Sequence, residues 1–413
     1  MRYALAAVVA ASAFVFALSG GVATAGVSAA GAVSLVPRPT YKTAESTVGS
    51  PWIVVHYTRT GLDHPRFMKD DNHNGVPNYI EKLAAAANKA WLWYAHNGFK
   101  GPLPDSGGQD SRLDIYVKAL PPGVFGATLP TTVAKGGSFI VIDNQLDMAH
   151  LAVHGSLQQT VAHELFHEFQ LSYLPDGNIP HWAAEGSALA MQTYVYPQVV
   201  DASTFSYLDA WLNQPWRSLY DEANGCSHCY GGALFWRFLF GLGNHVVSEY
   251  FGRLYGYELA HKPILLGLQP LDEVLRKRVH GSLYSAFGRF SYDIYRAGYK
   301  PATRYKLSAA PKIAKTPTHV VSGLSTHYVP IAMPPGARGI GVGVAAASGP
   351  SPEVKLVVGG PKGRVVEGAL RGKGELQYFV TTFRNASERA KVMLIVTSGR
   401  QLGTAYKVAY ESL

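Results

Sequence analysis

Cysteine is nearly absent from this chain: its 413 residues include two, Cys226 and Cys229. So small a count excludes a disulfide framework, and without a second pair it excludes a zinc ribbon. A redox role for the C-x-x-C would need a thioredoxin-like context, which the sequence lacks. What remains is one local disulfide, Cys226 to Cys229, if the chain is exported. Long apolar runs are missing after the N-terminus, so no later segment can serve as a membrane-spanning helix. Neither a long internal repeat nor a low-complexity segment occurs. With 47% hydrophobic residues, the chain has material for two domains with proper cores.

The N-terminus has the form of a secretory signal. Arg2 gives it a positive start, Ala4 to Leu18 are apolar, and Ala23-Thr24-Ala25 fits an A-x-A cleavage site. Residues 1–25 are therefore expected to be removed, leaving a mature chain from about Gly26 with no transmembrane segment. The expected location is secreted, extracellular or associated with the cell envelope. Net charge is +9, and residues 276–315 hold ten Lys or Arg against one acid, Asp293. That stretch suits contact with an anionic cell envelope, although a solvated basic face accounts for it as well. No nucleic-acid-binding module is present, so nucleic acid is not an expected partner.

The stretch His163-Glu164-Leu165-Phe166-His167 has the most chemical content. On a helix, positions i and i+4 share a face, so both imidazoles can reach one metal ion. Zinc fits best, since it accepts neutral His nitrogens and leaves a coordination position for water. Glu164 is placed to act as general base on that water. The helix has its own signals: Gly155 closes the preceding segment, and Ser156 with Gln159 reads as a capping box. Leu157, Val161, Leu165 and Phe169 then recur at helical spacing. A turn at 174–180 precedes a second helix carrying His181, Trp182, Glu185 and Gly186. Glu185 is the expected third ligand, and three protein ligands plus water is the catalytic zinc stoichiometry. Gln170 shares the face of His163 and is a candidate partner for the ligands, whereas His181 reads as structural.

Upstream, Asp70, Asn72, Asn74, Val76 and Glu81 match a calcium loop of the form D-x-[DN]-x-[DN]-G-x5-E. Oxygen side chains fall at positions 1, 3 and 5, Gly75 turns the chain, Val76 offers a carbonyl and Glu81 closes the shell. Only Asp70 and Glu81 are charged, so affinity should be modest and the ion structural. The plain alternative is an Asx-rich turn that needs no ion.

Taken together, H-E-x-x-H, W-x-x-E-G-x-A and the upstream N-G-x-P-x-Y-x-E segment resemble the secreted bacterial gluzincin metallopeptidases. The resemblance covers roughly residues 50–300. It implies His163, His167 and Glu185 as zinc ligands and Glu164 as base. It departs from the best-known members in the seventeen residues between His167 and Glu185, slightly fewer than usual. The oxyanion-stabilising residue is unassigned, with Tyr207, Tyr230 and His245 as candidates.

The expected fold is α+β. A zincin-like domain over 51–300 would combine a mixed sheet, an active-site helix and a helical subdomain. It would follow a linker at 26–50 and precede a second linker at 301–317. Strands are expected at 52–57, 113–117 and 138–142, with Ser138 to Ile142 as the substrate-binding edge. A backing helix is expected at 78–96. Short alternating runs from Thr318 to Leu413 predict an all-β sandwich.

The function expected is zinc-dependent hydrolysis of peptide bonds in a peptide or protein substrate. Two other classes fit the motifs. One is an inactive gluzincin-like adhesin or envelope-binding protein, and the other a zinc hydrolase of non-peptide amides or esters.

Overall fold

The structure is a computed structural model. It describes residues 37–413 apart from 106, 107, 109, 131–136, 150, 153, 154, 224, 225, 244, 308–312, 314, 315, 372–375 and 400–402. The expected signal peptide and cleavage site lie outside the described residues.

In chain order the first elements are β1 (Glu45–Gly49), β2 (Ile53–Thr58), α1 (Asn78–His96), β3 (Leu113–Lys118), β4 (Gly126–Pro130) and β5 (Ser138–Asp143). Next come β6 (Leu151–Ala152), α2 (Leu157–Leu171), α3 (His181–Val195), β7 (Val200–Asp201) and α4 (Ala202–Asn213). Helices α5 (Ser227–Gly231), α6 (Ala233–Gly241), α7 (His245–Leu259), α8 (Leu268–Val279) and α9 (Leu283–Arg296) follow. The remaining elements are β8 (Thr318–Val321), β9 (Ser325–Ile331), β10 (Gly339–Ser348), β11 (Glu353–Val358), β12 (Arg364–Val366), β13 (Gly368–Arg371), β14 (Leu376–Thr382), α10 (Ala386–Ala390), β15 (Val392–Ser398) and β16 (Thr404–Ser412). The chain is thus mixed α and β with several antiparallel sheets. No helix among the described residues is long and apolar enough to cross a membrane.

Two compact units form. One runs to Tyr207 and takes in Leu239–Ile264, and the other holds Leu208–Phe238 and Leu265–Leu413.

In the first unit five strands lie in the order β1-β2-β3-β5-β4. β2, β3 and β5 run parallel to one another, and the antiparallel strands β1 and β4 close the two ends. The β-branched runs Ile53 to Thr58 and Ser138 to Asp143 suit such interior positions, where both faces are covered. The expected edge at Ser138–Ile142 is corrected here, because β5 pairs with β3 on one side and β4 on the other. The edge on this side is β4, whose sequence GATLP is short and ends in proline, a residue tolerated at sheet margins.

Within residues 37–50 the chain carries β1 and further sheet contacts. The Tyr41 hydroxyl lies 2.7 Å from the His56 carbonyl and 3.0 Å from that of Val117. Tyr41 also packs on the buried face formed by Tyr116, Phe139 and Val141. Helix α1 backs α2: Tyr94 donates to the Ala162 carbonyl at 2.8 Å and its ring meets Phe166 edge-on.

In the second unit one sheet has the order β13-β14-β10-β16-β8 and another β12-β11-β15-β9, all antiparallel. Alternate residues of both sheets, among them Val342, Val344, Leu356 and Val396, form one buried apolar cluster. Helix α9 joins this unit. Tyr328 of β9 donates to the Ser291 carbonyl at 2.7 Å, and the Ser291 and Thr326 hydroxyls lie 2.7 Å apart. Cys226 and Cys229 form a disulfide at the start of α5.

Candidate metal centre

Helix α2 is buried along nearly its whole length, so each of its polar side chains must be matched internally. Ser156 caps it, its hydroxyl accepting from the Gln159 backbone N–H at 3.3 Å. The expected capping box is only half made. The Ser156 N–H goes to the Asp201 carboxylate at 2.8 Å, and the Gln159 side chain turns into the interior.

One turn apart on this helix, His163 and His167 set their rings 4.8 Å centre to centre. Helix α3 begins at His181 after the turn and delivers Glu185 between them. Glu185 Oε2 lies 3.2 Å from His163 Nε2 and 3.6 Å from His167 Nε2. These are the spacings that donors take around a small tetrahedral ion, where bonds near 2.0–2.1 Å put ligand atoms about 3.3 Å apart. His163, His167 and Glu185 are all buried and form a group that could hold a metal ion, their ligand atoms within 4.8 Å of one another. Two imidazole nitrogens and one carboxylate make a donor set that suits zinc. The half-buried His181 ring lies 3.8 Å from Glu185 Oε1.

Burial alone would raise the Glu185 carboxyl, but the His167 and His163 rings hold it well below the usual carboxylate range. At His167 burial opposes the charge, yet Glu185 and Glu164 prevail and push the imidazole up to about 9. Glu164 is buried beside the cluster, and burial raises its carboxyl against the pull of both rings. The Thr128 hydroxyl of β4 lies 2.9 Å from the Glu164 Oε2 and 2.8 Å from the Glu164 backbone carbonyl, two acceptors that share one donor. Gly126 of the same strand packs over the Glu164 side chain.

Behind the two imidazole rings stand two glutamines. His163 Nδ1 is 2.9 Å from Gln192 Oε1, and His167 Nδ1 is 2.8 Å from Gln170 Oε1. Gln170 was visible from its helical position, although it serves His167 rather than His163. Gln192, Thr128 and Gly126 were missed. Gln192 had a signal, since it lies two helical turns after Glu185 on the same face. For Thr128 and Gly126 the sequence offers none.

Of the three oxyanion candidates, Tyr207 is near the cluster: burial, and then the Glu185 charge, pushes its phenol up. His245 starts α7 and packs its ring against Gly98, while Tyr230 belongs to α5 in the other unit.

The 70–81 loop folds as a nested turn. Asp70 accepts the Gly75 N–H at 2.8 Å, and Asn74 Oδ1 accepts that of Val76 at 2.8 Å. The side-chain amides of Asn72 and Asn74 both donate to Glu81 Oε1, at 2.8 and 2.7 Å. Gly75 adopts φ +84°, a conformation that favours glycine.

Comparison of the chain with family models, curated proteins and solved structures gave no match.

Proposed function

We propose that this chain is an exported zinc-dependent metallopeptidase of the gluzincin type. The observation that supports the reading best is the convergence of His163, His167 and Glu185 with a buried, oriented Glu164 beside them. A binding protein needs the three ligands but not the base. Zinc bound there would polarise the scissile carbonyl and lower the pKa of a coordinated water. His163 and His167 present Nε2, and Glu185 completes the charge. Glu164 takes the proton of the attacking water and passes it to the leaving amine. Thr128 keeps the carboxylate aimed while it does so. Tyr207 is the candidate partner for the developing oxyanion.

In this reading the first unit is the zincin-like domain, and an extended substrate pairs along β4 at the end of the sheet. The two sheets of the second unit are a β-sandwich, and its basic segment is a candidate contact to anionic envelope polymers. The 70–81 loop is a candidate calcium site, since its turn gathers the oxygen-bearing side chains of Asp70, Asn72, Asn74 and Glu81.

The test is metal content of the purified mature chain paired with cleavage of a diverse peptide library, with Glu164→Gln alongside. About one zinc per chain, and cleavage lost in the variant, is expected. Cleavage that persists in Glu164→Gln would sink the mechanism. Zinc without cleavage would move the chain to the binding-protein or non-peptide class.

A further inference from the structure

Both candidate ligand rings are held from behind by a neutral amide, and each amide is itself anchored. Gln192 Nε2 lies 3.2 Å from Thr204 Oγ1 and 3.4 Å from Gln159 Oε1. Gln159 in turn donates to the Tyr196 and Val199 carbonyls at 3.3 and 3.2 Å. On the other ring, Gln170 Nε2 donates to the Ala184 carbonyl at 3.0 Å and to Ser187 Oγ at 2.9 Å. With their nitrogens committed as donors, both glutamines can offer the imidazoles only an oxygen. An oxygen acceptor at Nδ1 requires the proton there, which leaves the Nε2 lone pair for a metal. Gln159, Gln170, Gln192, Ser187 and Thr204 are all buried, so the arrangement does not compete with water.

The charge count makes the glutamines more than props. A divalent ion with Glu185 and Glu164 sums to zero in this buried pocket. A carboxylate behind either ring would make the sum negative and the ring a stronger donor. A neutral amide leaves the ligand less basic and the ion more electrophilic.

Building on the zinc reading above, we propose that Gln192 and Gln170 are positioning residues. They lock both ligand histidines in the Nδ1–H tautomer and, by staying neutral, hold metal affinity below what a carboxylate would give. Gln159 and Thr204 act through Gln192, tying the first turns of α2 and α4 to the ligand.

The experiment is zinc affinity by competition with a chromophoric chelator, for the mature wild-type chain, Gln192→Leu, Gln192→Glu and Thr204→Val. Thermal unfolding of each metal-free protein and the visible spectrum of each cobalt-loaded protein accompany it. Gln192→Leu should weaken zinc binding by about 10- to 100-fold and shift the cobalt bands. Gln192→Glu should bind at least as tightly as wild type. Thr204→Val touches no ligand and keeps the test alive should Gln192→Leu fail to fold; it should weaken binding several-fold. Unchanged affinity in Gln192→Leu and Thr204→Val, with lowered metal-free melting, would reduce the glutamine to a packing role and overturn the proposal. Gln192→Glu binding as poorly as Gln192→Leu would overturn the tautomer lock. If the wild-type chain takes up no zinc, the metallopeptidase reading itself falls, a result distinct from either.

Discussion

Gly126 and Glu164 are in such close contact that a β-carbon added to the glycine would lie 2.7 Å from Glu164 Cγ and 3.1 Å from its Oε1. The edge strand therefore presses its backbone directly on the candidate base. Only a residue without a side chain allows that approach. Thr128, two residues along the strand, then holds the carboxylate from the same side.

Gly126→Ala should consequently displace the base and leave the ligands alone. The Glu164 side chain is the flexible partner and will yield before the backbone does. A shift near 1 Å in a catalytic group can cost about 100-fold in rate. The expected result is a kcat lower by about that factor with zinc content unchanged. Full activity in Gly126→Ala, or loss of the metal, would show that the contact does not set the base.

The His163, His167 and Glu185 cluster was legible because its spacing is a property of one helix and one turn. His163 and His167 fall at i and i+4, and the 174–180 turn returns the chain so that Glu185 meets them. β4 was not legible, since GATLP has neither alternation nor β-branched density to mark a strand. The Ser156–Gln159 pattern misled for a physical reason: Asp201, distant in sequence, takes the N–H that the glutamine would have taken. Likewise α9 is a strongly amphipathic helix, but its pattern shows only that one face is buried, not which sheet covers it. Tyr328 and Thr326 supply that answer from residues beyond the apparent linker.

The N-terminal stretch carries a second testable contact. Arg38 forks to two buried carboxylates, Asp105 and Asp114. Asp114 also meets His56 Nε2 at 3.0 Å, and His56 Nδ1 meets Glu45 at 2.5 Å. Arg38 is the cation that these two buried carboxylates share, and breaking a buried pair typically costs about 3–5 kcal/mol. Arg38→Met should lose stability of that order in urea unfolding, and Asp105→Asn in the same chain should recover part of it. A loss under about 1 kcal/mol would class the fork with exposed ion pairs.

In the second unit, His327 of β9 has Nδ1 2.7 Å from the Tyr406 hydroxyl of β16, a polar contact inside an apolar cluster. Among the described residues its Nε2 is buried with no hydrogen-bond partner. Burial therefore penalises the imidazolium, and repulsion from Arg304 and His319 adds to it, pulling His327 from 6.5 down to about 3. Its folded-state pKa lies below the unfolded value, so the unfolded chain binds the extra proton between those limits. Stability from this residue is then fully present above pH 6.5 and is lost as pH falls toward about 3. The slope approaches 1.4 kcal/mol per pH unit midway, or about 2 kcal/mol lost by pH 5. Urea unfolding from pH 7 to 4 should show this acid slope in the wild-type chain, and His327→Asn should flatten it by close to one proton. An equal slope in both proteins would mean that the histidine charges without cost, and that the cluster admits water or an acid partner to it.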